Sequence, residues 1–345
     1  MSVLRTPFGT TRDGQAVELF TLRCGAMEAE ILTFGATVRA LRVPDKNGNS
    51  VDVVLGYNTV SAYETNGGYV GALVGRYANR IANASCLIDG ARVALEANEG
   101  TKQLHGGAVG FSHRVFTAEI VGDSSICLCY TAADGEGGHP GTLTLRATYT
   151  LTEDTLFLRY EAESDKSTYC NLTNHSYFNL NGHGDILTHK LQIFADHFTP
   201  VDENSIPTAM ATPVAGTAFD FTVAKAVGRD IFADEEQLRL TSGYDHNFVL
   251  SPAQGLRRAA YLAGEESGIT METLTQKPGV QLYTANFLDA ALDTKCGQPY
   301  QKHAALCLET QFFPDSPNHP AWGDIVLRPG QQYDYTTAYR FSTAN

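Results

Sequence analysis

The stretch from residue 143 to residue 163, "LTLRATYTLTEDTLFLRYEAE", constrains the fold more than any other part of the chain. Apolar side chains occupy every second position from Leu143 to Leu151 and again from Leu156 to Ala162, and the polar turn "TEDT" separates the two arms. A period of two on both arms is typical of an antiparallel hairpin with one buried face. The stretch therefore predicts two paired strands that cover a core.

Strand-like segments recur along the rest of the chain. They are "AEILTFGATVRALRVP", "SCLIDGARVAL", "RVFTAEIV", "HKLQIFA", "YDHNFVL", "ITMETLT", "GVQLYTANF" and "AALCLET". No window keeps helical spacing for three turns, and "GRDIFADEEQLR" indicates one short helix at most. Neither a repeat nor a long linker interrupts the pattern. We expect residues 1–345 to form a single all-β domain, a large antiparallel β-sandwich.

The charge of the chain limits its partners. A formal net charge of −13 argues against binding to a phosphate backbone or to an anionic membrane surface, both of which attract Lys and Arg clusters. A neutral small molecule suits this composition better. The seven cysteines show no CxxC spacing and the first residues have no apolar core, so we expect free thiols in a reducing, cytoplasmic compartment.

Motifs for nucleotide or metal binding are absent from the sequence. There is no P-loop, no GxGxxG, no GxSxG and no HExxH, and the ten histidines form no HxH or HxxxH pair. We therefore expect no nucleotide cofactor and no metal.

Five polar stretches interrupt the strand pattern: "GRYANRIANA" (75–84), "QLHGG" (103–107), "NLTNHSYFNL" (171–180), "GYDHNFVL" (243–250) and "LCLETQFFPDSPNHP" (306–320). Each has a structural explanation as well as a functional one. The two arginines suit a surface ion-pair strand, His105 a hairpin turn, and Asp245 a capping turn. His175 could be a satisfied polar residue at a strand end, and Glu309 could face solvent.

The position of Glu309 favours a chemical role. In a period-two strand it shares a side with Ala305 and Cys307, opposite Leu306 and Leu308, and we expect both sides to be partly buried. Desolvation by such neighbours raises a carboxyl pKa toward the range of a general base. Together the five stretches propose one site with an imidazole acid, a carboxylate base, an arginine and several amides. Paired donors and acceptors beside aromatic rings suit a polyhydroxylated sugar.

These five motifs, in this order and spacing, resemble the aldose 1-epimerase family over almost the whole chain, from about residue 10 to 340. The resemblance implies a β-sandwich with an open sugar cleft and no cofactor. It implies that Glu309 is the general base and His175 the general acid. The sugar-binding positions that it implies are Asn79, Arg80, His105, Asp245 and Gln281. Where the family often has Phe and Gly, this chain has Leu282 and Ala285, which puts the shape of one cleft wall in question.

The expected reaction is interconversion of the anomers of a free hexose such as galactose or glucose, by ring opening and reclosure. We expect acidic surroundings to keep His175 charged, Asn174 to fix the ring, and Tyr177 and Phe178 to shape the cleft wall. Three alternatives stay open: a hexose-phosphate epimerase, a carbohydrate-binding protein without activity, and a glycoside hydrolase that uses Asp245 with Glu309.

Overall fold

The computed structural model describes residues 1–289 and 293–344, and strands dominate that part of the chain. The strands are β1 (Ser2–Thr10), β2 (Ala16–Cys24), β3 (Met27–Leu32), β4 (Thr37–Pro44), β5 (Ser50–Asp52), β6 (Leu73–Val74), β7 (Arg80–Ile81), β8 (Ser85–Ile88), β9 (Ala91–Ala94), β10 (Gln103–Leu104), β11 (Thr117–Gly122), β12 (Ser125–Ala132), β13 (Leu143–Leu151), β14 (Thr155–Ser164), β15 (Thr168–Tyr169), β16 (Thr173–Asn174), β17 (Lys190–Ile193), β18 (His197–Thr199), β19 (Thr212–Pro213), β20 (Lys225–Ala226), β21 (Asp245–Val249), β22 (Arg257–Ala263), β23 (Ile269–Thr275), β24 (Gly279–Tyr283), β25 (Cys307–Gln311), β26 (Val326–Leu327) and β27 (Tyr333–Thr343). The two α-helices of the described residues are α1 (Val60–Thr65) and α2 (Glu236–Thr241).

The hairpin predicted from residues 143–163 is confirmed. Strands β13 and β14 pair antiparallel from Leu143 opposite Ser164 to Leu151 opposite Leu156. The apolar positions of both arms are buried, whereas Thr144 and Arg146 between them are exposed. The alternation in the sequence therefore reports which face of this hairpin covers the core.

Three larger sheets enclose the main core, and every pair of named strands within them is antiparallel. One sheet runs β1-β2-β3-β4-β5, a nine-stranded sheet runs β11-β12-β13-β14-β27-β23-β22-β17-β20, and a third runs β19-β18-β21-β24-β25. One continuous apolar cluster joins them, with Leu22 from the first sheet, Leu158 from the second and Leu308 from the third. The predicted antiparallel β-sandwich is confirmed.

Helix positions were harder to predict than strand positions. Helix α2 covers only the end of the predicted segment 228–239, and α1 lies where no helix was expected. Each has six residues, which is too short for an apolar stripe at helical spacing to be visible. Helix α1 begins at a side-chain cap, since the Ala62 N–H donates to Thr59 Oγ1 at 3.2 Å.

Two further features of the fold concern the cysteines and the helices. All seven cysteines are free thiols, and five of them are buried. No helix of the described residues is both long and apolar enough to cross a membrane.

Candidate functional site

The third sheet separates the core from a polar face, and this separation places Glu309. Strand register sets Asn247 of β21 opposite Gln281 of β24, and Gln281 opposite Glu309 of β25. Because side chains alternate along a strand, these three share one face, whereas their neighbours Val280 and Leu308 point into the core. The register of these strands thus fixes the position of the Glu309 side chain on the polar face of the sheet.

His175 is brought to Glu309 by the segment that follows β16. The His175 N–H donates to the Ala72 carbonyl at 2.9 Å, and Phe178 exchanges two backbone hydrogen bonds with Leu306 at 2.7 and 2.9 Å. This pairing runs the segment along β25. The imidazole Nε2 consequently lies 3.6 Å from Glu309 Oε1.

The predicted residues Asn79 and His105 form a mutually hydrogen-bonded pair beside strands β7 and β10. The His105 N–H donates to the Asn79 carbonyl, and the Asn79 N–H donates to His105 Nδ1, both at 3.1 Å. Both residues adopt left-handed backbone conformations, with φ of 64° and 53°. Since Nδ1 accepts a hydrogen bond, the proton of the neutral ring is on Nε2.

Arg80 is fixed by two acidic neighbours. Its guanidinium donates to both carboxylate oxygens of Glu99 at 2.7 and 3.0 Å, and Nη1 lies 3.7 Å from Asp245 Oδ2. The other oxygen of Asp245 accepts a hydrogen bond from Gln281 Nε2 at 2.6 Å. This fork geometry leaves the arginine little rotational freedom.

A cleft of about 170 Å³ brings most of the predicted residues together. Its lining consists of Gly68, Tyr69, Asn79, Arg80, Glu99, Leu104, His105, His175, Tyr177, Asp245, Tyr283, Phe287 and Glu309. Tyr177 stacks on His175 with ring centroids 5.0 Å apart and is anchored by its Oη, which donates to the Gly68 carbonyl at 2.8 Å. Seven of the eight predicted site residues therefore line one cleft.

Gln281 is the exception, since it does not line the cleft. It is 3% exposed and lies behind Asp245, whose carboxylate it holds. Its own Oε1 accepts a hydrogen bond from Gln311 Nε2 at 3.3 Å. Gln281 thus contacts a cleft residue, Asp245, and its contact with a sugar stays a prediction.

Other residues of the five motifs maintain the scaffold. Arg76 is 2% exposed and donates to the carbonyls of Pro140 and Gly141 at 2.9 Å, so it does not belong to a surface ion-pair strand. Gly106 is needed for close packing, because a Cβ there would lie 2.1 Å from the Gly75 carbonyl oxygen. These contacts are with the chain itself.

The asparagines of "NLTNHSYFNL" also bind backbone. Asn174 Nδ2 donates to the Gly71 carbonyl at 2.9 Å, and Asn179 Nδ2 donates to the Ala304 carbonyl at 2.8 Å. Phe178 packs in the core against Tyr339 with centroids 4.8 Å apart. The expectations that Asn174 fixes a sugar ring and that Phe178 shapes the wall were therefore wrong.

Several cleft residues were not predicted. Gly68, Tyr69, Glu99, Leu104, Tyr283 and Phe287 lie outside the interpreted positions of the five motifs. Tyr69 follows two glycines and has a φ of 55°, and its ring lies 4.6 Å from that of His105. Residues with a strained backbone that are not glycine often lie at functional sites. The sequence alone does not show that Tyr69 has a positive φ angle.

Burial governs the charges of the catalytic candidates. Glu309 is 2% exposed, and desolvation together with the charge of Asp245 raises its pKa well above the usual range, against the opposing effect of Arg80. Desolvation lowers the pKa of His175 to about 4, with a small opposing effect from its own backbone carbonyl. This direction is opposite to the expectation that acidic surroundings keep His175 charged, because loss of hydration disfavours the imidazolium.

The side chains of His105, His175 and Glu309 lie close enough to raise the question of a metal, since one ligand atom of each lies within 4.8 Å of the others. The donor set fits a metal poorly. His105 Nδ1 is occupied by the Asn79 N–H, and Nε2 then carries the ring proton. Two ligands remain, which is fewer than the three protein ligands of catalytic zinc sites.

Comparisons with known proteins agree on one family. The family model described as aldose 1-epimerase matches residues 18–340. Galactose mutarotase of Rattus norvegicus is 42% identical over 347 residues and covers 100% of both chains, and that of Homo sapiens is 40% identical over 346 residues and 99% of both. Aldose 1-epimerase of Escherichia coli K12 is 39% identical over 335 residues, which cover 95% of this chain and 96% of the relative.

Two solved structures share the fold over nearly the whole length. The GalM/aldose epimerase homologue from C. elegans superposes with a TM-score of 0.89 at 32% identity, covering 96% of this chain and 100% of that chain. Galactose 1-epimerase from Lactobacillus acidophilus also gives a TM-score of 0.89, at 27% identity and 100% coverage of both chains.

Proposed function

The chain belongs to the aldose 1-epimerase family and is an isomerase that acts on carbohydrates, and we propose that Glu309 and His175 perform its proton transfers. The activity is interconversion of the α and β anomers of free hexoses, such as galactose and glucose, by opening and reclosing the sugar ring. The substrate is a monosaccharide, and we propose that residues 1–345 act as one domain.

The contact between His175 Nε2 and Glu309 Oε1 at 3.6 Å carries the assignment of roles. The two oxygens that exchange protons during mutarotation, the anomeric hydroxyl and the ring oxygen, are attached to the same carbon. An acid and a base in van der Waals contact can therefore reach one oxygen each. Glu309 Oε2 is buried and has no hydrogen-bond partner among residues 1–289 and 293–344, so no contact within the described protein satisfies this oxygen.

The pair contains the proton that the reaction needs. Burial favours a protonated Glu309 beside a neutral His175 in the empty cleft. The charged form of the pair, a Glu309 carboxylate beside a His175 imidazolium, contains the same number of protons, so it forms without net uptake from solvent. Arg80, which lowers the pKa of Glu309, and polar groups of a bound sugar favour this charged form of the pair.

The reaction then takes three steps. Glu309 removes the proton of the C1 hydroxyl while His175 Nε2 donates its proton to the ring oxygen, and the C1–O5 bond breaks to give an aldehyde. Rotation about the C1–C2 bond turns the other face of the C1 carbonyl toward the hydroxyl on C5. Reclosure reverses both transfers, so the enzyme ends in its starting protonation state. Acid and base catalysis of this kind contribute roughly 10²- to 10⁴-fold each.

Neighbouring residues orient the sugar in this scheme. His105 offers a neutral Nε2–H donor, because burial, His175 and Arg80 lower its pKa well below the usual range. Arg80 offers fixed guanidinium donors. Asp245 accepts from sugar hydroxyls, as its carboxylate is itself held by Gln281. Donors placed in advance stabilise charge that develops in the transition state.

The charges of the cleft favour a neutral hexose over a hexose phosphate. Among the described residues that line the cleft, Arg80 is the one Lys or Arg side chain, beside the carboxyl groups of Glu99, Asp245 and Glu309. Its guanidinium is already engaged by Glu99. A phosphate carries about two negative charges at neutral pH and would need additional cations.

Polarimetry on freshly dissolved α-galactose and α-glucose tests the proposal. Wild type should speed the approach to the final rotation, and Glu309→Gln and His175→Gln should each lower kcat by about 10²-fold or more. His189→Gln is a matched control, since His189 is a fully buried histidine outside the cleft whose Nε2 accepts from the Leu180 N–H. Full activity of either cleft variant would refute the assigned roles. Binding without acceleration would indicate a carbohydrate-binding protein, and release of reducing sugar from a galactoside would indicate hydrolysis.

A further inference from the structure

We propose that Cys307 is the positioning residue of His175: its buried thiol occupies Nδ1 and thereby places the exchangeable ring proton on Nε2, facing Glu309. This inference rests on the proposed function, because it concerns the acid of that mechanism. Cys307 Sγ lies 3.4 Å from His175 Nδ1. Within the described residues, this sulfur is the one side chain that hydrogen-bonds the imidazole.

The strand geometry supports a positioning role. Cys307 precedes Glu309 by two residues on β25, so both side chains stand on the same face of one strand. The imidazole bridges them, with Nδ1 to the sulfur and Nε2 3.6 Å from Glu309 Oε1. These two contacts fix the position of the ring, and Tyr177, stacked on it with centroids 5.0 Å apart, fixes its plane.

The chemistry of the thiol determines which nitrogen carries the proton. Cys307 is 0% exposed, and burial together with the charges of Glu309 and Asp245 raises its pKa well above that of a free thiol. It therefore keeps its proton and can donate a weak hydrogen bond to Nδ1, 3.4 Å away. The neutral imidazole then holds its own proton on Nε2.

A sulfur atom at Nδ1 also suits the role of His175 as a general acid. A carboxylate at Nδ1 would stabilise the imidazolium and make it a reluctant proton donor. Sulfur accepts a hydrogen bond only weakly, so the imidazolium gains little from Cys307 and releases its Nε2 proton readily. The contact thus orients the ring and raises the basicity of His175 only slightly.

Three variants test this role: Cys307→Ala, Cys307→Ser, and Cys86→Ala as control for the loss of a buried sulfur, because Cys86 is 0% exposed and lies outside the cleft. Removing a partner that orients a functional side chain typically costs tenfold or more, so Cys307→Ala should lower kcat by about tenfold with KM changed by less than about twofold. Its pH–rate profile should shift to lower pH, because the imidazolium loses its acceptor. Cys307→Ser should restore kcat to within about threefold of wild type, since a hydroxyl keeps a donor and an acceptor at this position.

A measurement on the unaltered protein complements the variants. Nitrogen-15 NMR of histidine side chains distinguishes the tautomers, with His175→Gln assigning the signal; the expected state is Nε2–H. An Nδ1–H tautomer, or a Cys307→Ala enzyme with wild-type kcat and pH profile, would overturn the inference. If His175→Gln is impaired while Cys307→Ala is not, only the role of Cys307 fails. If wild type does not speed mutarotation, the proposed function itself fails.

Discussion

His139 provides a quantitative test of how burial sets histidine charge in this fold. It is 0% exposed, its Nε2 is 2.7 Å from Gln103 Oε1, and its Nδ1 has no partner in the part of the chain that the structure describes. Burial, and to a lesser extent Arg76, lowers the pKa of His139 to about 3. In the unfolded chain the same group titrates near ~6.5.

The sign of the resulting pH dependence follows from proton binding. Between about pH 6.5 and 3 the unfolded state binds a proton at His139 and the folded state does not, so acid favours unfolding. The contribution of His139 to stability is complete above about pH 6.5 and is lost as the pH falls below it. At pH 5 the loss is about 1.5 pH units at 1.36 kcal/mol each, or roughly 2 kcal/mol.

Replacing His139 by Gln removes this titration while keeping an amide N–H for Gln103. The variant should be less stable than wild type at pH 7, by about 1 to 3 kcal/mol, because packing and a hydrogen bond change in the core. At pH 5 the gap should shrink by about 2 kcal/mol. Urea unfolding followed by circular dichroism at both pH values measures the two differences.

His183→Gln is the matched control, because the His183 side chain is 70% exposed. It should leave the pH dependence of wild type unchanged. If His139→Gln and wild type lose stability in parallel between pH 7 and 5, the folded pKa of His139 is not depressed. The same argument for a neutral His175 would then lose its physical basis.

Three further predictions follow from individual contacts. Ala285 has a φ of 52° where the family often has glycine, so Ala285→Gly should raise the free energy of unfolding by about 0.5 to 1 kcal/mol in urea titrations; a loss of stability would contradict the strain. Glu99→Gln removes the charged partner of Arg80 and should raise KM by about five- to tenfold with a smaller change in kcat; an unchanged KM would show that the ion pair does not orient the guanidinium. Tyr149→Phe removes a hydrogen bond at 2.9 Å to the Ala36 carbonyl and should cost about 1 kcal/mol of stability without altering the mutarotation rate, which polarimetry checks.

Strand positions were predictable because half-buried strands leave a period of two in the sequence. The arms of β13 and β14 show it throughout, and the same alternation placed Glu309 on the face of Cys307, opposite Leu308. Helix α1 left no such trace, since it has six residues and depends on the cap from Thr59. Local pattern therefore predicted the sheets and missed the shortest elements.

The sequence predicted which residues form the site better than it predicted their protonation states and contacts. Sequence motifs and the family resemblance brought Glu309, His175 and Arg80 into one hypothesis, and the cleft contains all three. The neutral state of His175 depends on complete burial, which arises from distant segments and cannot be read from its neighbours in the chain. Gln281 shows the same limit: only strand register reveals that it holds Asp245 from behind.

The central claim is that Glu309 and His175 act as one acid–base unit in the proton transfers of mutarotation. The most direct test compares the mutarotation kcat of Glu309→Gln, His175→Gln and the double variant, since residues that act as a unit are non-additive. We predict that each single variant loses about 10²-fold or more and that the double variant loses no more than about tenfold beyond the poorer single variant. A double variant whose loss equals the product of the two single losses would contradict the account.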